Sequence, residues 1–326
     1  MNEILKQVIQ SVLFGMVIPS ALVNTMENVA VTLPEPVPET SVQETVQQKP
    51  AKVQIPVLME SGEIRQMELD EYITRVVLGE VPAGFEMEAL KAQAVAARTY
   101  TLYCGQTSER HPMGAVCTDY RCCQAYREPE EYLDQGGNEE GIQRVRRAVQ
   151  ETAGEVLCYQ GELIVATYFA SSGGVTEDAE EVWGQAFPYL TPVESPGEQD
   201  CAYYDDEKTF TASEFQQILG VALNGTPENW FGRVYESLGN GVGVIRIGGR
   251  LYGGTEVRSL FGLRSTIFTV TTTADSVTFH TKGYGHRVGM SQYGADAMAV
   301  NGNSYDEILA HYYTGTTLEQ YPFDSD

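Results

Sequence analysis

Basic residues are scarce in this chain. Lysine and arginine number 21 against 45 aspartates and glutamates, for a formal net charge of -24. Such a chain repels phosphate polymers at long range, which argues against nucleic acid as a partner. Neutral and amino-sugar polymers remain compatible. Two hydrolase signatures are also missing. No H-E-x-x-H segment occurs, which argues against a zinc peptidase or amidase. No G-x-S-x-G segment occurs, so a serine nucleophile on a strand-to-helix elbow is not expected. The chain also lacks a full run of roughly 20 apolar residues, the length that crosses a bilayer core. Its most apolar stretch, Val8 to Val23, is short and interrupted by Pro19. Three readings compete for it: an anchor, a signal peptide, or an amphipathic start to the fold. No A-x-A-like cleavage site comes after it, so we expect an uncleaved membrane anchor over 1–24.

The next segment is a spacer. Thr32 to Pro50, TLPEPVPETSVQETVQQKP, carries prolines, acids and glutamines and no aromatic residue. It cannot bury enough apolar surface to order itself, and its prolines favour an extended spacer. We expect 25–50 to be a disordered stalk and 51–326 to be the globular body, in one or two lobes. The body contains most of the 32 glycines, which mark tight turns and close backbone approaches.

The pattern within the body predicts a strand over Lys52–Leu58 and a helix capped by Asp70 that runs to about Glu80. An alanine-rich helix is expected over Glu86–Tyr103. Strands are expected at Val156–Tyr159 and Leu163–Phe169, joined as a hairpin through Gln160 and Gly161. Further strands are expected at Val242–Ile247, Ile267–Thr272 and Ser276–His280, with a last helix at Tyr305–Tyr312. Helices early and strands later predict an α+β fold, with a mixed or antiparallel sheet and long loops around a cleft.

Glu80 shares one helical face with Ile73, Val76 and Val77. A carboxyl group among apolar neighbours and near the negative end of a helix dipole is pushed towards its neutral form. That is what a general acid requires. Periodicity alone, however, reads Glu80 as a solvated residue at a frayed helix end. Asp70 and Glu71 read as capping residues, and Glu86 and Glu88 fit the first turn of the next helix.

Three blocks change the balance. GEVPAGFEMEALKAQAVAARTY (Gly79–Tyr100), YFASSGGVTEDAEEVWG (Tyr168–Gly184) and GYGHRVGMSQYGADAMAVNGNSYDEILAHYYTGT (Gly283–Thr316) resemble, in order, signatures of the stage II sporulation protein D family. The resemblance implies a lytic transglycosylase acting on peptidoglycan during spore engulfment. The enzyme would face the forespore septum from the mother-cell membrane. The resemblance makes the carboxylate before the first motif's proline, here Glu80, the catalytic acid. It implies denuded glycan strands as substrate, 1,6-anhydro-muramoyl ends as product, and the amidase stage II sporulation protein P as partner. The runner-up is a non-catalytic glycan-binding enhancer of a cell-wall amidase, since related domains carry that description.

Several residues are candidates for holding substrate. Ser171, Ser172 and Gly173 belong to a polar turn whose hydroxyls and amides suit sugar recognition, although a plain turn is nearly as good a reading. Tyr284 and Tyr293 can stack on sugar rings, with His286 and Gln292 in the same segment. For His286 a packed, hydrogen-bonded histidine competes with a catalytic one. The resembled family usually has glycine where this chain has Arg287, so Arg287 either narrows the cleft or adds a contact.

Six cysteines occur, and three of them cluster in HPMGAVCTDYRCC, His111 to Cys123. Four N/S ligands in a short loop can close a tetrahedral zinc site. A disulfide from Cys117 to Cys122 or Cys123 competes with that reading in an extracytoplasmic body. Some clostridial members of the resembled family hold zinc in this loop through two cysteines and two histidines. His111, Cys117 and Cys123 match three of those ligands, and Cys122 stands at the fourth. The resemblance thus implies a structural zinc on His111, Cys117, Cys122 and Cys123. Cys158 and Cys201 either pair or stay reduced.

Overall fold

The computed structural model describes residues 53–107 and 109–322. The expected anchor and stalk lie outside the described residues. Among the described residues no helix is long and apolar enough to cross a membrane.

The body opens on an antiparallel hairpin, β1 (Gln54–Leu58) with β2 (Ile64–Glu68). Helix α1 (Leu69–Glu80) starts at once, with Glu68 at its N-cap and no side-chain cap bond. The expected cap, Asp70, lies inside the first turn instead, where its carboxylate pairs with Arg98 at 3.2 Å. Glu71 pairs with Arg75 one turn on, at 2.6 Å, and is not a cap either. Ile73, Val76 and Val77 are fully buried, as their spacing predicts. The helix stops because Val81 is extended (φ -132°, ψ 152°), the conformation that a following proline imposes.

Helix α2 (Met87–Thr107) runs four residues beyond the expected end. Its alanines are buried and let neighbouring elements pack closely on several sides. Arg98 sits fully buried in its middle. The guanidinium is satisfied by Asp70 and by the carbonyls of Val149 and Glu155, each at 3.1 Å. Strand β3 (Val116–Cys117) then pairs parallel with β1.

Helices α3 (Pro129–Asp134) and α4 (Glu139–Glu151) lead to β4 (Glu155–Tyr159), which turns through Gln160 and Gly161 into β5 (Glu162–Leu163). The expected longer strand does not form. After Leu163 the chain leaves this sheet, and β6 (Tyr168–Phe169) belongs to another. Helix α5 (Ala179–Trp183) closes this half.

The next stretch has its own core. Strand β7 (Asp205–Thr211), helix α6 (Ala212–Leu219), β8 (Phe231–Glu236), β9 (Val242–Ile247), β10 (Arg250–Gly253), α7 (Gly254–Phe261), β11 (Ile267–Thr272) and β12 (Ser276–Lys282) form two three-stranded antiparallel sheets around Phe215, Trp230, Phe261 and Phe279. Phe215 stacks on Phe261 with ring centroids 4.7 Å apart. The chain then returns to the first core. Strand β13 (Met290–Ser291) pairs parallel with β6, and the chain continues through α8 (Gln292–Val300) and α9 (Tyr305–Tyr312) to β14 (Thr317–Gln320), which pairs with β4. The fold is α+β. Helices recur along the whole body rather than clustering early, because each small sheet carries its own covering helices.

Candidate functional site

Glu80 ends α1 at the floor of a cleft of about 460 Å³. Its Oε1 accepts a hydrogen bond from the Ala125 N–H at 2.6 Å, and its Oε2 accepts one from Gln292 Nε2 at 3.3 Å. The Tyr168 hydroxyl is a third neighbour. Burial raises the pKa of the Glu80 carboxyl above the usual carboxylate range, and these polar contacts only partly offset that shift. The group is thereby held closer to its protonated form. Glu80 is the only carboxylate among the described residues that line the cleft.

A glycine makes this geometry possible. A Cβ on Gly79 would lie 2.9 Å from the backbone nitrogen of Tyr126. Only glycine lets the 124–126 segment lie this close to the end of α1, where Ala125 reaches Glu80. Next to Ala125, Gln124 accepts from the Tyr168 hydroxyl at 2.6 Å and donates to Thr101 Oγ1 at 2.8 Å. Sequence reasoning missed Gln124, Ala125, Tyr168 and Tyr203 as cleft residues. Their one signal was adjacency: Gln124 and Ala125 come directly after the cysteine cluster, and Tyr168 opens the second block.

Tyr284, His286 and Gln292 line the cleft. Tyr293 lines an adjoining recess that also contains Glu80. His286 matches the packed reading. Its Nδ1 accepts from the Val288 N–H at 3.1 Å, and its ring lies against Phe169 and Trp183 at 5.5 and 5.3 Å. Burial lowers its pKa to about 4, so the ring is neutral near neutral pH.

Ser171, Ser172 and Gly173 do not line the cleft. The two serines are fully buried, and their hydroxyls donate to Glu198 at 2.6 and 2.7 Å. Ser195 donates to the same carboxylate at 2.5 Å. A buried carboxylate needs donors, and the expected sugar-facing hydroxyls serve that need instead. Gly173 (φ 76°) makes the expected turn, but it packs against Lys282.

Arg287 neither narrows the cleft nor reaches into it. Its backbone is left-handed (φ 69°), the conformation that favours the glycine of the resembled family. Its fully buried guanidinium pairs with Glu177 at 3.3 Å and donates to Thr266 Oγ1 and to the carbonyls of Ser172, Val175 and Gly239. These bonds tie the second core to the turn that carries the serines.

The ligand atoms of His111, Cys117, Cys122 and Cys123 all lie within 4.8 Å of one another. His111 Nε2 stands 3.2 Å from Cys122 Sγ and 3.7 Å from Cys123 Sγ. Ligands at zinc bond lengths in a tetrahedron sit roughly 3.5 Å apart, so the four residues fit such an ion. All six cysteines are free thiols, and Cys158 is buried in β4 without pairing to Cys201.

Comparison with known proteins places the chain in a family. Residues 59–159 match the family model of the stage II sporulation protein SpoIID. The chain is 39% identical to stage II sporulation protein D of Bacillus subtilis over 278 residues, 83% of this chain and 80% of that protein. Identity to the protein of the same name from Bacillus amyloliquefaciens is 36%, over the same shares of each chain. An amidase enhancer of Bacillus subtilis is 31% identical over 76% of this chain and 40% of its own length. With such identity over most of both chains, and the first signature block inside the matched segment, this protein belongs to the stage II sporulation protein D family.

Proposed function

We propose that this protein is an extracytoplasmic, membrane-anchored lytic transglycosylase that cuts denuded peptidoglycan glycan strands during spore engulfment. The observation that carries the reading is Glu80: a single carboxyl group, with raised pKa, on the floor of a cleft lined by aromatic rings. A hydrolase usually needs a second carboxyl group to activate water or to attack the sugar. A lytic cleavage does not. Protonated Glu80 gives its proton to the glycosidic oxygen as the bond to the anomeric carbon breaks. The sugar's own 6-hydroxyl then bonds to that carbon, and its proton returns to the Glu80 carboxylate. No water is consumed, and the products are a free hydroxyl end and a 1,6-anhydro end.

His111, Cys117, Cys122 and Cys123 would hold a zinc ion whose four positions are filled by protein, which makes it structural. When bound, the ion supplies no reaction step and pins the loop that leads into Gln124 and Ala125. A cell-wall amidase is the natural partner, since it would strip the stem peptides first.

The amidase enhancer relative supports a second reading, a glycan-binding stimulator of such an amidase. Incubation of the purified body with denuded strands, and then mass spectrometry of the ends, separates the two. Anhydro-muramoyl ends are expected from the transglycosylase, and unchanged strands would leave the enhancer.

A further inference from the structure

Tyr168 stands beside Glu80, and its hydroxyl has only one hydrogen to give. That hydrogen goes elsewhere: the hydroxyl donates to Gln124 Oε1 at 2.6 Å. The Gln124 amide is held in this sense from its other end, where Nε2 donates to Thr101 Oγ1 at 2.8 Å. Gln124 and Thr101 are only 3% and 1% exposed, so the row is shielded from solvent. It runs in one direction, from Tyr168 on β6 through Gln124 to Thr101 on α2.

The direction decides what Tyr168 presents to Glu80. A hydroxyl that gives its hydrogen to a carboxylate favours the ionised form, whereas one that offers a lone pair favours the protonated acid. With its hydrogen on Gln124, Tyr168 has lone pairs left. Glu80 Oε1 already accepts the Ala125 amide hydrogen at 2.6 Å, which leaves Oε2 for the proton of the acid. We infer that Tyr168 is a positioning residue for the Glu80 proton: its oxygen accepts from the protonated carboxyl and, backed by Gln124 and Thr101, holds that proton in place until a glycosidic oxygen takes it. The inference rests on the lytic reading for the destination of the proton, but not for the direction of the hydrogen bonds. A Gln124 amide turned the other way, nitrogen towards Tyr168, would reverse the row and make Tyr168 a donor to Glu80.

Two measurements test the direction. Carbon-13 titration of the glutamate carboxyls, with Glu80→Gln to identify the Glu80 signal, reads the proton directly. A pH–rate profile on denuded strands reads it through cleavage. The other charged or titratable groups in the recesses that contain Glu80 are Cys123, Arg127, His286 and the hydroxyls of Tyr100, Tyr120, Tyr132, Tyr203, Tyr284 and Tyr293. They are the same in every variant below, so a difference between variants reports the row. Tyr168→Phe removes the accepting oxygen. It is expected to move the Glu80 titration, and the alkaline limb of cleavage, to lower pH by about half a pH unit to one pH unit, the worth of one hydrogen bond. Gln124→Leu frees the Tyr168 hydrogen to turn towards the Glu80 carboxylate, and is expected to move the titration the same way by at least as much. The double variant should match Tyr168→Phe, because Gln124 acts through Tyr168. A titration that rises or stays put in Tyr168→Phe would overturn the inference. If that variant does not fold, the same outcomes in Gln124→Leu decide. A wild-type protein that cuts no strand at any pH would sink the lytic reading, and the carbon-13 titration would still settle the direction of the row.

Discussion

The Glu80 carboxyl and the Ala125 amide meet at 2.6 Å although they are 45 positions apart. One end of a helix and one turn of a cysteine-rich loop thus define the acid together. Replacing the acid by its neutral isostere keeps both hydrogen-bonding atoms close to their places. Glu80→Gln is expected to abolish strand cleavage while the melting temperature stays the same or rises slightly. Wild-type-like release of anhydro ends by this variant would refute the assignment.

The pH dependence comes from the direction of the shift. The pKa of Glu80 in the folded protein is raised above the ordinary value of a glutamate, chiefly by burial. A group raised on folding favours the folded state below its unfolded pKa and loses that advantage as pH rises through the folded pKa. Glu80→Gln should therefore gain stability relative to wild type near pH 7 and show no gain near pH 4. Cleavage should fall on the alkaline side as the acid ionises, above the pH at which an ordinary glutamate would lose its proton. Paired melting curves at the two pH values, with a pH–rate profile, check both parts.

Gly79 gives a prediction about packing. In Gly79→Ala the added methyl meets the Tyr126 backbone and must push the 124–126 segment away. A strained insertion of this kind costs about 1–3 kcal/mol of stability. Activity is expected to fall further than stability implies, because the Ala125 amide leaves Glu80. A crystal structure of the variant and a strand-cleavage assay would show whether the two changes go together.

Zinc removal should act on the fold before it acts on the chemistry. The purified body is expected to hold about one zinc per chain, and Cys117→Ser should lower the melting temperature, since a structural ion contributes folding energy. Elemental analysis and thermal melts check this. Full stability with total loss of cleavage would make the metal catalytic instead.

Arg287 and Glu177 are 0% and 2% exposed, and each is the other's ionic partner. Burial lowers the Arg287 pKa to about 10, with the Glu177 charge opposing that shift. Arg287→Gly relieves the left-handed backbone but leaves a buried carboxylate without its cation, at a cost of about 3–5 kcal/mol. The double variant with Glu177→Gln should recover part of that loss. A double-mutant cycle by denaturant melts measures the coupling.

The local pattern carried much of the fold. Ile73, Val76 and Val77 announced α1 by their spacing, and Tyr305–Tyr312 and Val242–Ile247 fall where the pattern put them. Failures came where a distant partner decides. Leu163–Phe169 reads as one apolar strand, yet Tyr168 and Phe169 pair with Met290 and Ser291, far along the chain. Ser171 and Ser172 read as exposed polar residues because Glu198, which takes their hydroxyls, is remote in sequence and carries no motif. Glu80 was visible as an acid on an apolar face. Its partner Ala125 was not, since a backbone amide leaves no periodic trace, and Gln292 was singled out as a substrate-holding candidate but not as a partner of Glu80.

The bond from Gln292 to Glu80 spans 212 positions. Contacts of that span form only after a large loop has closed, so they come late in folding. During synthesis, α1 can be complete while its terminal glutamate still faces water and titrates like any other. On the lytic reading, the cutting activity therefore switches on with the docking of the last third of the chain. A protein that severs its own cell's wall would in this way stay inert until it is whole.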